Sequence, residues 1–232
     1  MAATAVVARR TRPDDIFFPS MALLILLIVV TGFGKSYFLA GMVMAKLPSR
    51  LVHIHGAIFI SWIFLLVAQT CLVSAHNVKL HMKLGPLALL LMPAMVVFGV
   101  LELFDFMHRA VPEDGPEAIL VGDLETLAIF VALTTWGLIA RRNPATHKRA
   151  MILGTMAIMG PAIARWNVGI MATLGVILAL PLLVLAYDIW ALRRVHRTTL
   201  IATALTAAWV FTVIPFSNLP FWHHCVEWMR GM

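Results

Sequence analysis

Nine histidines are spread along this chain of 232 residues, and four of them bracket one apolar run. His53 and His55 precede it in RLVHIHG, and His76 and His81 follow it in SAHNVKLHMKLG. Between them Gly56 to Ala75 carries no charge, and about 20 apolar residues suffice to cross a hydrocarbon core. Neutral imidazole ligates metals, supplies the axial ligands of haem, and moves protons near neutral pH. Carboxylates stand at matching positions further on. Glu102 and Asp105 fall near one end of the next apolar run, and Asp123 and Glu125 just inside the one after it. Glu102 and Asp123 each lie roughly 9 Å from their connecting loop, at about 1.5 Å per helical residue. Charges at such depth are costly unless paired, hydrated or used.

Two kinds of chemistry fit this outer set. In the first, His53, His55, Glu102 and Asp123 supply ligands to a divalent metal ion or another cofactor, with Arg165, Lys35 and Glu125 as charge partners. In the second, Lys35 and Arg165 neutralise the carboxylates in an ion-pair belt that needs no cofactor. Helical phase restrains the first. Residues i and i+2 point about 200° apart, so His53 and His55 do not both face the core, and neither do Asp123 and Glu125. At the opposite ends of the spans, His81, His147 and His196 open helices among lysines and arginines, in HMKLG, HKRAM and HRTTL. Helix starts and cations both attract anions, so haem propionates or lipid phosphates suit these positions. The plainer alternative is that these residues only orient the helices. Haem b needs two opposed histidines, or one with methionine. The pairs available are His53 or His55 with His108, His223 or His224, and His81 with His147.

The elements that position these residues are membrane helices. The chain is 61% hydrophobic and 12% charged, with a mean hydropathy of +0.92. A soluble domain is about 25% charged. The excess falls in seven long apolar runs, near 16–40, 51–74, 84–107, 118–140, 149–166, 168–190 and 198–216. The fold expected is therefore all-α: a polytopic bundle of seven transmembrane helices. Residues 1–15 form a cytoplasmic segment, 16–216 the bundle, and 217–232 a short amphipathic helix in the outer interface.

Orientation follows from the basic residues. Arg9, Arg10, Arg12, Lys79, Lys83, Arg141, Arg142, Lys148, Arg149, Arg193, Arg194 and Arg197 fall on one side. The other side holds Lys46, Arg50, Arg109, Arg165 and Arg230, with an acidic loop of Glu113, Asp114 and Glu117. The positive-inside rule places the N-terminus inside and the C-terminus outside. The net charge of +7 is thereby assigned to topology and not to nucleic-acid binding. Asp188 is expected to pair with Arg193 or Arg194, and Gln69 to find a partner across the bundle. No chain of acids crosses the membrane, which argues against an ion pump. There is no phosphate loop, Ser-His-Asp set or cysteine-based metal motif.

Together HIHG, Gln69, HMKLG, the pair Gly122–Asp123, HKRAM and PAIAR at Pro161–Arg165 resemble a group of bacterial multi-helix inner-membrane proteins. The likeness covers Arg50 to Arg165 and brings no assigned activity. In helix count and interface histidines the chain is also loosely similar to cytochrome-b-type bundles and to membrane factors that assist terminal-oxidase assembly. The resemblance and the histidines together set one leading expectation. It is a histidine-ligated cofactor, haem b or a metal ion, serving redox chemistry in a bacterial inner membrane, with lipid, quinone or other subunits as partners. The rivals are a non-catalytic accessory subunit of an energy-converting complex and a metal-dependent membrane hydrolase. The hydrolase would need three protein ligands and an open position.

Overall fold

The computed structural model describes residues 12–44, 49–112 and 115–231, with backbone alone for 40–44. Arg9, Arg10, Lys46, Glu113 and Asp114 therefore lie outside the described residues, as does most of the N-terminal segment. The structure is 88% helix, with no strand among the described residues. In chain order the helices are α1 (Pro13–Phe33), α2 (Arg50–Ser74), α3 (Val78–Leu84), α4 (Leu87–Arg109), α5 (Pro116–Ile139), α6 (Pro144–Ala157), α7 (Gly160–Ala164), α8 (Ile170–Leu192), α9 (Arg197–Ser217) and α10 (Pro220–Arg230). A π-helical segment, Gly34–Met44, continues α1, and a 3₁₀ turn, Ala140–Arg142, follows α5.

The helix starts are written locally. Ser49 Oγ accepts from the Val52 amide at 3.4 Å, Asn77 Oδ1 from Leu80 at 3.2 Å, and Asn143 Oδ1 from Thr146 at 3.3 Å. Pro116, Pro144 and Pro220 occupy first helical positions, where no amide donor is needed. At the end of α8, Arg193 takes a left-handed conformation (φ 57°) that turns the chain toward α9.

Among the described residues six helical stretches are long and apolar enough to cross a membrane: Pro13–Leu39, Arg50–Ser74, Val78–Arg109, Pro116–Arg142, Ile170–Leu192 and Arg197–Ser217. The run expected as a fifth span, 149–166, differs from the others. It is broken at Ile158–Met159 into α6 and the five-residue α7. Pro161, whose nitrogen carries no hydrogen, sits at the start of α7 and cannot continue the α6 ladder.

This broken helix is the centre of the bundle. From Ile152 to Ala157 every residue of α6 is buried. Gly137 of α5 and Gly154 of α6 let these two helices approach closely; a Cβ on Gly154 would stand 3.0 Å from the Thr134 side chain. Gly32 of α1 is pressed harder, since a Cβ there would fall 2.2 Å from the Ala162 carbonyl oxygen of α7. Trp62 of α2 is buried against the same helix, donating its indole N–H to Thr155 Oγ1 at 3.0 Å and meeting Phe130 edge-on at 5.1 Å. Outward-facing positions such as Leu90, Ile139, Met171 and Phe211 remain exposed and apolar.

The tail forms a helix as expected. Val226 and Met229 of α10 are buried against Leu103, Met107 and Leu120 of α4 and α5. Phe221 and Trp228 stay exposed.

Candidate functional site

A cavity of about 540 Å³ opens between α1, α2, α4, α5, α7, α8 and α9, toward the α2 start and the α4 end. Its walls are mostly apolar, with Phe33, Phe59, Ile63, Leu174, Ile177 and Trp209 among them. Four acidic, basic or imidazole side chains reach it along with the Tyr37 phenol: His55, Glu102, Asp123 and Arg165. They come from four different elements. The backbone break between α6 and α7, Ile158 to Pro161, also lines it.

Helical phase explains the selection within each pair. His55 lies on the inner face of α2, while His53 is exposed and meets only the Tyr37 hydroxyl, 3.4 Å from Nδ1. The His55 ring stacks on Phe59 one turn later, with centroids 4.1 Å apart. Its Nδ1 lies 3.3 Å from the Phe98 carbonyl, so Nε2 is unengaged among the described residues. Asp123 faces the cavity; Glu125, two residues on, does not line it, and its Oε2 is buried without a hydrogen-bond partner. Lys35 is exposed on the π-helical segment and takes no part in the cavity lining.

The four side chains form one electrostatic unit. Glu102 and Arg165 both act through space on Asp123, and both act on His55. Glu102 is also 3.8 Å from Arg109, which holds Asp105 at 2.8 Å. Arg165 donates to its own turn at Pro161 O (2.7 Å), and its guanidinium lies 4.3 Å from the Phe33 ring centroid. Asp123 is different. Among the described residues no group donates a hydrogen bond to its carboxylate. A carboxylate facing a cavity with free lone pairs is an acceptor in want of a donor.

The remaining outer histidines are occupied elsewhere. His108 and His224 each turn Nδ1 to a carbonyl of their own helix, Phe104 O at 2.8 Å and Pro220 O at 2.6 Å. His223 pairs with Glu117 at 2.9 Å. His55 is thus the one histidine lining the cavity among the described residues. Nor do three or more His, Cys, Asp or Glu side chains converge there, among those residues, in an arrangement that could hold a metal ion.

At the other end of the bundle the three histidines part company. His81 and His147 meet, with ring centroids 6.2 Å apart. His196 lies instead on a buried ionic network that the sequence reading missed. Arg149 and Asp188, at 1% and 0% side-chain exposure, join α6 to α8 through Nε (2.9 Å) and Nη2 (2.5 Å) on Oδ1. Oδ2 accepts from Thr199 Oγ1 (2.6 Å) and the His196 amide (3.1 Å), and Arg149 Nη1 donates to Ala145 O (3.1 Å). The expected partners of Asp188, Arg193 and Arg194, are therefore replaced by Arg149. Alongside, Asp14 of α1 takes hydrogen bonds from Tyr187 (2.7 Å) and from Lys148. Burial, with the Arg149 cation second, pushes the His196 imidazole below its ordinary value, and its Nδ1 accepts the Thr198 amide. Gln69 departs from expectation too: its Oε1 is buried with no partner.

Comparison with family models, with curated proteins and with solved structures gives no match.

Proposed function

We propose that this chain is a seven-span inner-membrane protein serving membrane redox chemistry by binding a quinone-type carrier in the outer-half cavity. The single observation that carries the reading is the Asp123 carboxylate, unpartnered among the described residues, which lines with His55 a largely apolar cavity of about 540 Å³. That volume lies within the range of small-molecule sites, which are apolar with a few placed polar groups.

The charges select the kind of head group. Arg109 and Arg165 face Glu102, Asp105 and Asp123, so the site carries no excess positive charge to attract a carboxylate or phosphate. A neutral head with hydrogen-bonding oxygens fits: Arg165 donates to a carbonyl, and Asp123 or His55 accepts from a hydroxyl. Quinone and quinol carry those oxygens on a flat ring, and the aromatic and aliphatic walls suit the ring and the isoprenoid tail. His55 and Asp123 would exchange the two protons that accompany interconversion, with the electrons passing to or from a partner in the membrane. Of the cofactors considered from sequence, haem b or a metal ion at this position would rest on His55 as its imidazole ligand. A quinone needs no such ligand.

In this reading α6 and α7 form the seventh span, broken where it lines the site. The N-terminus faces the cytoplasm and the C-terminus the outside of a bacterial-type membrane. The test is organic extraction of the purified chain followed by mass spectrometry, with an absorption spectrum and metal analysis on the same sample. Near-stoichiometric quinone supports the proposal. A haem band, or only phospholipid and fatty acid, overturns it.

A further inference from the structure

A second site, independent of the cavity, lies at the opposite end of the bundle. His81 of α3 and His147 of α6 are far apart in sequence, yet their rings stand 6.2 Å apart and nearly perpendicular, at 86°. An ion held by two imidazole nitrogens at about 2.0 Å each keeps the ring centres roughly 5 Å apart at a tetrahedral angle. With the nitrogens nearly opposite the separation is roughly 6 Å, and 6.2 Å matches this opposed arrangement. The His147 ring is already oriented as a ligand would be. Its Nδ1 is 2.8 Å from the Gly137 carbonyl, and that hydrogen bond leaves Nε2 with its lone pair free.

Among the described residues two buried polar atoms of this region, His81 Nδ1 and Gln69 Oε1, have no hydrogen-bond partner, while the His81 ring also meets the Gln69 backbone. Gln69 of α2 reaches this spot: a Cβ on Gly85, one turn after His81, would lie 3.9 Å from its Nε2. Buried groups of this kind are normally satisfied, and two of them near a pair of imidazoles are donors and acceptors free to take a ligand. No carboxylate pairs with either imidazole among the described residues. An ion pair therefore does not account for bringing them together.

We infer that His81 and His147 bind a first-row transition-metal ion, with the Gln69 side-chain carbonyl as a further oxygen ligand and water completing the shell. Imidazole donors suit copper, zinc, nickel and iron, and affinity along the divalent series peaks at copper. Copper is the ion assigned. The nearest competitor on the chain is the exposed pair His223 and His224 on α10, whose rings are 6.4 Å apart.

The experiment is titration of the purified full chain in detergent with Cu²⁺ in the presence of glycine as a weak competitor, followed by electron paramagnetic resonance and spin-echo counting of imidazole nitrogens. One copper per chain with two coordinated imidazoles is expected. It persists unchanged when His223→Ala and His224→Ala are combined on the exposed tail, and His147→Ala weakens it at least tenfold. Loss of the signal in the tail variant overturns the assignment. So does a wild-type spectrum with fewer than two imidazoles, or no copper above the detergent blank. Because the tail variant leaves the bundle interior intact, the result does not depend on whether a variant at His81 or His147 folds.

Discussion

Two aspartates of this bundle, one toward each end, each have an arginine acting on them, and they are treated in opposite ways. Asp188 is closed. Both of its oxygens are engaged, by Arg149, Thr199 and the His196 amide, and neither side chain of the pair exceeds 1% exposure. Asp123 is open. It feels Arg165 only through space, accepts no hydrogen bond among the described residues, and faces a cavity. A buried ion pair that satisfies every lone pair holds helices in register; among the described residues Asp123 makes no such pair and feels Glu102 and Arg165 through space alone. In the proposed reading, identical residue types serve structure at one end and a ligand at the other.

The comparison is most sharply tested by removing one charge at a time. Asp188→Ala or Arg149→Ala strands a fully buried charge and should cost about 3–5 kcal/mol, seen as a large drop in melting temperature in detergent or as failure to accumulate. Replacing both together, Arg149→Met with Asp188→Leu, should recover much of that loss. A smaller but still clear effect is expected at the α1–α7 crossing. Gly32→Val drives a side chain into the Ala162 carbonyl and should destabilise by about 1–3 kcal/mol while moving α7 against the cavity. Asp123→Asn is predicted to go the other way. Removing an unpaired charge at depth leaves the melting temperature unchanged or raised, while quinone binding falls about tenfold, close to 1.4 kcal/mol.

The smallest effect is a pH dependence at His196, which lies between α8 and α9. Burial holds the folded imidazole below its ordinary 6.5, so the unfolded chain binds the proton more readily. Its contribution to stability is then complete above about pH 7 and declines as pH falls through 6.5, since protonation also removes the Nδ1 acceptor that caps Thr198. Melting curves between pH 7.5 and about 5 should show that decline, and His196→Ser, which keeps a cap without titrating there, should flatten it.

Much of the outer site was legible in the sequence because depth itself is informative. Glu102 and Asp123 stand out as carboxylates about 9 Å inside apolar runs, and His55 and Arg165 as ionisable residues at the same ends. The 100° step of a helix lets only one of His53 and His55, and one of Asp123 and Glu125, face the core. The cavity that gathers them was not legible, since it arises from the break at Ile158–Met159, and nothing short of packing shows that Pro161 opens a new helix. The inner network was missed for a related reason. Lys148 and Arg149 follow a loop and look like orientation charges, and only the placement of α6 at the bundle centre turns Arg149 inward. Lys35 was assigned to the belt by depth alone, yet the π-helical turn after Phe33 shifts its phase and leaves it exposed. The six longest helices were visible as apolar runs; the broken one was read as continuous because hydropathy does not register a two-residue interruption.

The most direct measurement is calorimetric titration of a short-chain ubiquinone into detergent-solubilised wild-type, His55→Ala and Asp123→Asn chains, with a melting curve on each sample. The account predicts saturable binding to wild type, at least tenfold weaker binding to both variants, and an Asp123→Asn chain that melts no lower than wild type. Wild type that binds no quinone, or an Asp123→Asn chain that melts as low as an Asp188 variant, would contradict it and make the outer cluster a structural belt like its inner counterpart.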